Sequence, residues 1–139
     1  MSDCVFCKIM EGQIPSAKVH EDGQTLAFMD IGQVNPGHVL VAVKPHVENI
    51  FGLDDALAAA VFRTAARVAR AVKKAYSPQG VTLYQANGPA AGQTVFHFHL
   101  HLVPRYDNDG MHLTWPAKNP PREQLDAEAA KIRNALAAN

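Results

Sequence analysis

The stretch T-V-F-H-F-H-L-H-L-V-P-R, Thr94 to Arg105, carries three histidines separated by single apolar residues. Side chains alternate faces along a β-strand. A strand from Val95 to Pro104 therefore puts His97, His99 and His101 on one face and Phe96, Phe98, Leu100 and Leu102 on the other. The pattern predicts a sheet with an apolar face turned to a core and an imidazole-lined face turned to something else. Three neighbouring basic rings repel one another and resist desolvation unless an anion or a metal compensates. Two chemistries satisfy that requirement. One is a metal site, since imidazole is the commonest metal-ligating side chain. The other is a phosphate site in which one imidazole is a nucleophile and the others position and polarise.

Outward from this strand, an α+β domain takes shape. Ala17–Glu21 and Thr25–Asp30 read as strands joined at Asp22-Gly23, and His38–Lys44 reads as a third strand after the turn Asn35-Pro36-Gly37. Asp54 or Asp55 caps a long helix to about Tyr76, with Leu57, Val61, Val68 and Val72 on one face. Arg63, Arg67, Arg70 and Lys74 make a solvated stripe on another. Ser77-Pro78-Gln79-Gly80 ends this helix, and Val81–Ala86 is a fourth strand. Val5, Phe6, Ile9 and Met10 form one side of a short N-terminal helix that Gly12 ends. After Pro120-Pro121, a C-terminal helix carries the stripe Leu125, Ala129, Ile132 and Leu136, read as packing against the domain or a partner subunit. The expectation is a five-stranded, mainly antiparallel sheet with one long helix, all within one domain over residues 1–139.

Composition narrows the function. The 139 residues are 47% hydrophobic, which suits a compact core, and thirteen basic against thirteen acidic residues leave no net charge. That balance argues against bulk nucleic-acid binding. No apolar run is long enough to span a membrane, and the opening M-S-D-C-V-F-C-K does not read as a signal peptide, so a cytoplasmic location is expected. Cys4 and Cys7 form C-x-x-C, which in a reducing compartment suggests metal binding, with a redox dithiol or free thiols as the alternatives. A thioredoxin-like reading is poor because no strand precedes the motif. Just before the histidines, N-G-P-A-A-G-Q-T (Asn87–Thr94) is a small, polar loop able to turn backbone N–H groups toward an anion, which favours phosphate.

G-Q-T-V-F-H-F-H-L-H-L-V-P-R resembles the signature of the histidine triad (HIT) family, His-x-His-x-His followed by hydrophobic residues. F-M-D-I (Phe28–Ile31), N-P-G-H-V-L-V (Asn35–Val41), K-P-H (Lys44–His46) and the opening C-V-F-C-K-I also resemble family motifs, in the expected order over about residues 4–106. The resemblance implies a HIT-like fold with its sheet extended across a homodimer. It implies hydrolysis or transfer at the α-phosphate of purine ribonucleotide conjugates, P–N bonds of nucleoside 5′-phosphoramidates first. Dinucleoside polyphosphate hydrolysis and non-catalytic nucleotide binding are the alternatives. A hydrolase whose three histidines hold a catalytic zinc is the competing class.

By position, the resemblance makes His99 the nucleophile that forms a nucleotidyl-histidine, and His101 the group that assists the leaving atom. His38 sets the orientation and protonation of these rings. Asn87, Gln93, Thr94 and the Val95 N–H hold phosphate or leaving group, with Thr94 standing where serine is common. Asp30 accepts from the ribose hydroxyls. Phe6, Ile9, Phe28, Ile31 and Leu40, with Ile14 beside them, line an apolar slot for the base. The resemblance also implies a structural zinc on Cys4, Cys7, His46 and His97, tying the N-terminus to the third and fifth strands. Were His97 free of metal it would shuttle protons instead. Trp115 is expected to reach toward a partner's site, and His112 receives no role.

Overall fold

The computed structural model describes residues 3–138. Five strands form one antiparallel sheet: β1 (Lys18–Glu21), β2 (Thr25–Met29), β3 (Val39–Val43), β4 (Gly80–Tyr84) and β5 (His99–Arg105), ordered β1-β2-β3-β5-β4. Three α-helices accompany them: α1 (Val5–Met10), α2 (Asp55–Tyr76) and α3 (Arg122–Ala137). This is the expected α+β architecture.

Each face of the sheet carries an apolar cluster. On one, Val39, Val41, Val43, Leu100 and Leu102 meet Leu57, Val61, Val68 and Val72 of α2. Burying each such side chain is worth about 1.5–3 kcal/mol, so this contact holds α2 across the sheet. Asp54 caps α2 as expected, its carboxylate accepting from Leu57 N–H at 2.8 Å. On the other face, Leu26, Phe28, Leu40 and Ala42 meet Phe6 and Ile9 of α1. That second cluster is small and leaves the neighbouring part of the sheet open, which is where the histidines lie.

The β1–β2 connection is a side-chain turn. Asp22 accepts from Gln24 N–H and Thr25 N–H, both at 2.9 Å, and Gly23 has no positive φ. Thr25 then bonds Thr64 of α2, hydroxyl to hydroxyl at 2.7 Å, so the hairpin is tied to the helix through a buried polar pair. Before β3, Asn35 donates to the Pro104 carbonyl at 2.7 Å and to Asp109 at 3.0 Å. Gly37 follows at φ +91°, where an added Cβ would stand 2.9 Å from two ring carbons of Tyr76. The chain is thus pressed against α2 as it delivers His38.

Two expectations need correction, and a third is narrowed to one of its two alternatives. The fifth strand begins at His99, not Val95. Residues 95–97 are bends, and Phe98 leaves the ladder to donate its N–H to the Val47 carbonyl at 2.6 Å. Phe96 consequently does not enter the core and is 40% exposed. The fourth strand ends at Tyr84, because Gln85 and Asn87 pair their side-chain amides and turn the chain away. The third concerns α3. It has no buried residue, and Leu125, Ile132 and Leu136 of its stripe are exposed. The helix therefore does not pack into the core of its own chain.

Candidate active site

A cavity of about 370 Å³ opens between α1 and the sheet. Phe6, Ile9, Ile14, Phe28 and Leu40 give it apolar walls, while Asp30, Gln93, Thr94, His99 and His101 bring polar groups to it. Ile31 also borders it but is wholly exposed, so it sits at the rim. Asn87 is not among the lining residues. Its amide oxygen accepts from Ile50 N–H at 2.8 Å and its NH₂ donates to Gln85 at 2.6 Å, so it shapes the loop from behind. Gln93 is buried, with its carbonyl oxygen accepting from Gly88 N–H at 2.7 Å and its NH₂ donating to the Glu48 and Val95 carbonyls. Both ends of that side chain hold the 88–95 loop in place.

Hydrogen bonds fix the histidine tautomers. His99 Nδ1 lies 2.7 Å from the His97 carbonyl oxygen, which can only accept. Nδ1 therefore carries the proton, and neutral His99 keeps its free lone pair on Nε2. Burial holds the His99 imidazole below the ordinary histidine value, with the His97 carbonyl and Asp30 opposing it. Phe6 packs edge-on against the same ring at 5.0 Å.

His38 is the hub of a second set. Val34 N–H donates to its Nδ1 at 3.1 Å, so its Nε2 bears the proton. That Nε2 lies 2.9 Å from His101 Nδ1 and 3.3 Å from an Asp30 carboxylate oxygen. His101 Nδ1 must accept, which leaves Nε2–H as the outward donor of neutral His101. Asp30 also lies 3.6 Å from His101 Nδ1, close enough to support a charged ring, and its other oxygen accepts from Gly32 N–H at 2.8 Å. Burial, then the neighbouring His99 and His38, pull His101 down to about 4, against Asp30. Asp30, His38 and His101 cluster closely enough to suggest a metal site. The Val34 N–H excludes it: with Nδ1 already accepting, His38 has no lone pair left on Nε2 for a cation.

His97 belongs to a different centre. Its side chain is fully buried, and its Nε2 donates to the Val43 carbonyl at 2.6 Å. The Nδ1 lone pair faces Cys4 Sγ at 3.4 Å and Cys7 Sγ at 3.6 Å, and His46 Nδ1 lies 3.4 Å from Cys7 Sγ. All four ligand atoms fall within 4.8 Å of one another. In a tetrahedron with ordinary zinc–sulfur and zinc–nitrogen bonds, the sulfur–nitrogen edge is about 3.5 Å. The three measured edges therefore fit a closed four-ligand site. Burial and Cys4 push the Cys7 thiol up. A bound cation is what would hold both sulfurs as thiolates.

So the three alternating histidines divide. His99 and His101 face the cavity, and His97 faces the cysteines. The sequence pattern gave no sign of Tyr84, whose ring stacks on His101 at 4.0 Å and 10°. The β4–β5 register places Tyr84 opposite His101, and pairing of that kind is not written in local sequence.

These features define a small α+β protein whose site is made of imidazoles with assigned tautomers beside an apolar slot. A family model described as the HIT domain matches residues 11–108, and the chain belongs to the HIT family. It is 43% identical over 140 residues to Protein hit of Bacillus subtilis, covering 99% of this chain and 97% of that one. It is 33% identical over 134 residues to an adenosine 5′-monophosphoramidase of Schizosaccharomyces pombe, covering 96% and 98%. A HIT family protein from Bacillus anthracis superposes with a TM-score of 0.92 at 46% identity, covering 96% of each chain. A zinc-bound histidine triad family protein from Mycobacterium smegmatis superposes at 0.76 with 33% identity, covering 96% and 98%.

Proposed function

We propose that this protein hydrolyses the P–N bond of purine nucleoside 5′-phosphoramidates through a covalent nucleotidyl-His99. The observation that carries the reading is the His99 Nδ1–H bond to the His97 carbonyl, which leaves Nε2 as the free nucleophile in a ring lining the cavity. The Schizosaccharomyces pombe relative supports the substrate class.

In the first step His99 Nε2 attacks phosphorus, and the P–N bond breaks with its electron pair on nitrogen. The amine takes the Nε2 proton of a protonated His101, which returns to neutral. In the second step water attacks phosphorus, the P–His99 pair returns to Nε2, and the water proton reloads His101. The substrate's negative phosphate opposes the burial that keeps His101 neutral in the free protein. When His101 is charged, Asp30 can accept from both His101 Nδ1–H and His38 Nε2–H. Phe6, Ile9, Phe28 and Leu40 form the slot for the base with Ile31 at its rim, and Asp30 takes the ribose. Thr94 and the Val95 N–H take phosphate, and Asn87 and Gln93 shape the loop that presents them.

Cys4, Cys7, His46 and His97 hold zinc in this reading. The ion supplies a structural tether between α1, the end of β3 and the approach to β5. The zinc-bound Mycobacterium smegmatis relative supports that choice of metal. Because the His97 backbone carbonyl fixes the nucleophile's tautomer, the tether also positions His99. Two reduced cysteines suit a cytoplasmic location. The same reading makes the protein one domain whose sheet extends across a homodimer, with α3 and Trp115 directed to the partner.

Turnover of an adenosine 5′-phosphoramidate tests the reading. Wild type should release AMP, His99→Ala should not, and brief chelation should leave the rate largely intact. Turnover that follows metal occupancy instead, or survives in His99→Ala, would overturn it.

A further inference from the structure

We infer that Tyr84 is a positioning residue: its ring is the face against which His101 is held so that Nε2–H meets the departing atom. The inference rests on the hydrolytic reading for its consequence in turnover, and on geometry for its premise.

His101 has one pinned atom. In the neutral ring His38 Nε2–H fixes Nδ1 at 2.9 Å, in the charged ring Nδ1–H turns to Asp30 3.6 Å away, and either single contact leaves the ring free to tilt. The His99 ring is tilted 56° from it at a centroid distance of 5.0 Å, and His38 is tilted 53° at 5.2 Å. Neither lies flat on it. Tyr84 does, at 4.0 Å and 10°. This is closer than the separations aromatic pairs usually adopt, and parallel where most are offset or edge-on. Tyr84 stands opposite His101 in the ladder, borders the cavity, and belongs to neither apolar cluster of this chain's core. With one edge pinned and one face backed, the imidazole plane is determined. The π-face also favours the charged form of His101, the form that yields a proton. Burial and Asp30 push the Tyr84 phenol up, so its ring stays neutral.

A residue acting this way matters in proportion to how badly the leaving group needs a proton. An alkylamine cannot depart without one. A p-nitrophenolate can. The test compares an adenosine 5′-phosphoramidate of an alkylamine with the p-nitrophenyl ester of AMP, in wild type, Tyr84→Phe and Tyr84→Leu.

Tyr84→Leu should lower kcat on the amine substrate by about tenfold or more, as part of a general-acid contribution is lost. KM and the first-turnover rate of nitrophenolate release, which precedes the attack of water, should hold, and that ester rate also reports intact folding. Tyr84→Phe, which keeps the ring, should restore the amine rate. Equal losses on both substrates, a change confined to KM, or a Phe variant as slow as the Leu variant would each overturn the inference.

If wild type releases AMP from neither substrate, the functional reading falls, and the premise is then decided in the free protein. Crystal structures of the free proteins should show the His101 ring in the same plane in wild type and Tyr84→Phe and tilted about its Nδ1 contact in Tyr84→Leu. An unchanged ring plane in the Leu variant would sink the positioning role.

Discussion

Zinc added to the metal-free protein should raise its melting temperature, and Cys7→Ser should abolish most of that rise. The three sulfur–nitrogen distances of 3.4, 3.4 and 3.6 Å already match a tetrahedral edge, so binding requires little movement of the ligands. A ligand that binds only the folded state stabilises it by about 2.7 kcal/mol at a hundred times its Kd. Unfolding entropy of about 2.1 cal/mol/K per residue gives roughly 0.29 kcal/mol/K for a chain of 139 residues. The expected shift is then about 9 °C. Cys7→Ser replaces a buried thiolate by a poor ligand, and the shift should shrink to about a quarter of that or less. The assay is thermal unfolding at stepped free zinc, paired with a colorimetric count of zinc released by a thiol-blocking reagent. A wild-type shift absent at saturating zinc, an equal shift in Cys7→Ser, or a stoichiometry other than one ion per chain would refute the four-ligand reading.

Nucleotide binding should take up a proton. His101 sits at about 4 in the free protein, held down by burial and by His99 and His38, and an anionic phosphate raises it. AMP should therefore bind more tightly as pH falls from 7 toward 5, by at most about tenfold per pH unit, and calorimetry in buffers of different ionisation heat should record the uptake. A pH-independent Kd with no uptake would contradict the proton-loading step. Gly37→Ala should cost more than about 1 kcal/mol in denaturant unfolding, since φ is +91° and the new Cβ would meet the Tyr76 ring at 2.9 Å; a neutral result would mean that the turn relaxes. Thr64→Val should cost about 1 kcal/mol, one buried hydrogen bond, because Thr25 keeps Asp22 at 3.1 Å. Thr25→Val should cost more, because Thr64 then retains only Asp22 at 3.4 Å, and the reverse order in urea melts would refute that network.

The sequence by itself determined the class and most of the parts. Period-two and period-3.6 apolar patterns are local, and they placed five strands and the long helix within a few residues of their observed ends. The histidine spacing, the C-x-x-C and the flanking motifs marked both centres, and the cluster of Cys4, Cys7, His46 and His97 assembles as the family resemblance implied. The resemblance had already implied that His97 joins the cysteines while His99 and His101 do the chemistry. Only the tertiary structure shows how one face serves both: Phe98 bonds Val47, the ladder starts at His99, and α1 brings Cys4 and Cys7, some ninety residues away in the chain, to His97 while Phe6 packs on both His97 and His99. The tautomers were equally hidden, because each is set by a carbonyl or N–H from a distant or irregular segment: Val43 for His97, the His97 carbonyl for His99, and Val34 for His38. Tyr84 meets His101 only through the register of β4 on β5. Local pattern encodes which residues can do chemistry. Long-range pairing decides which atom of each one is free to do it.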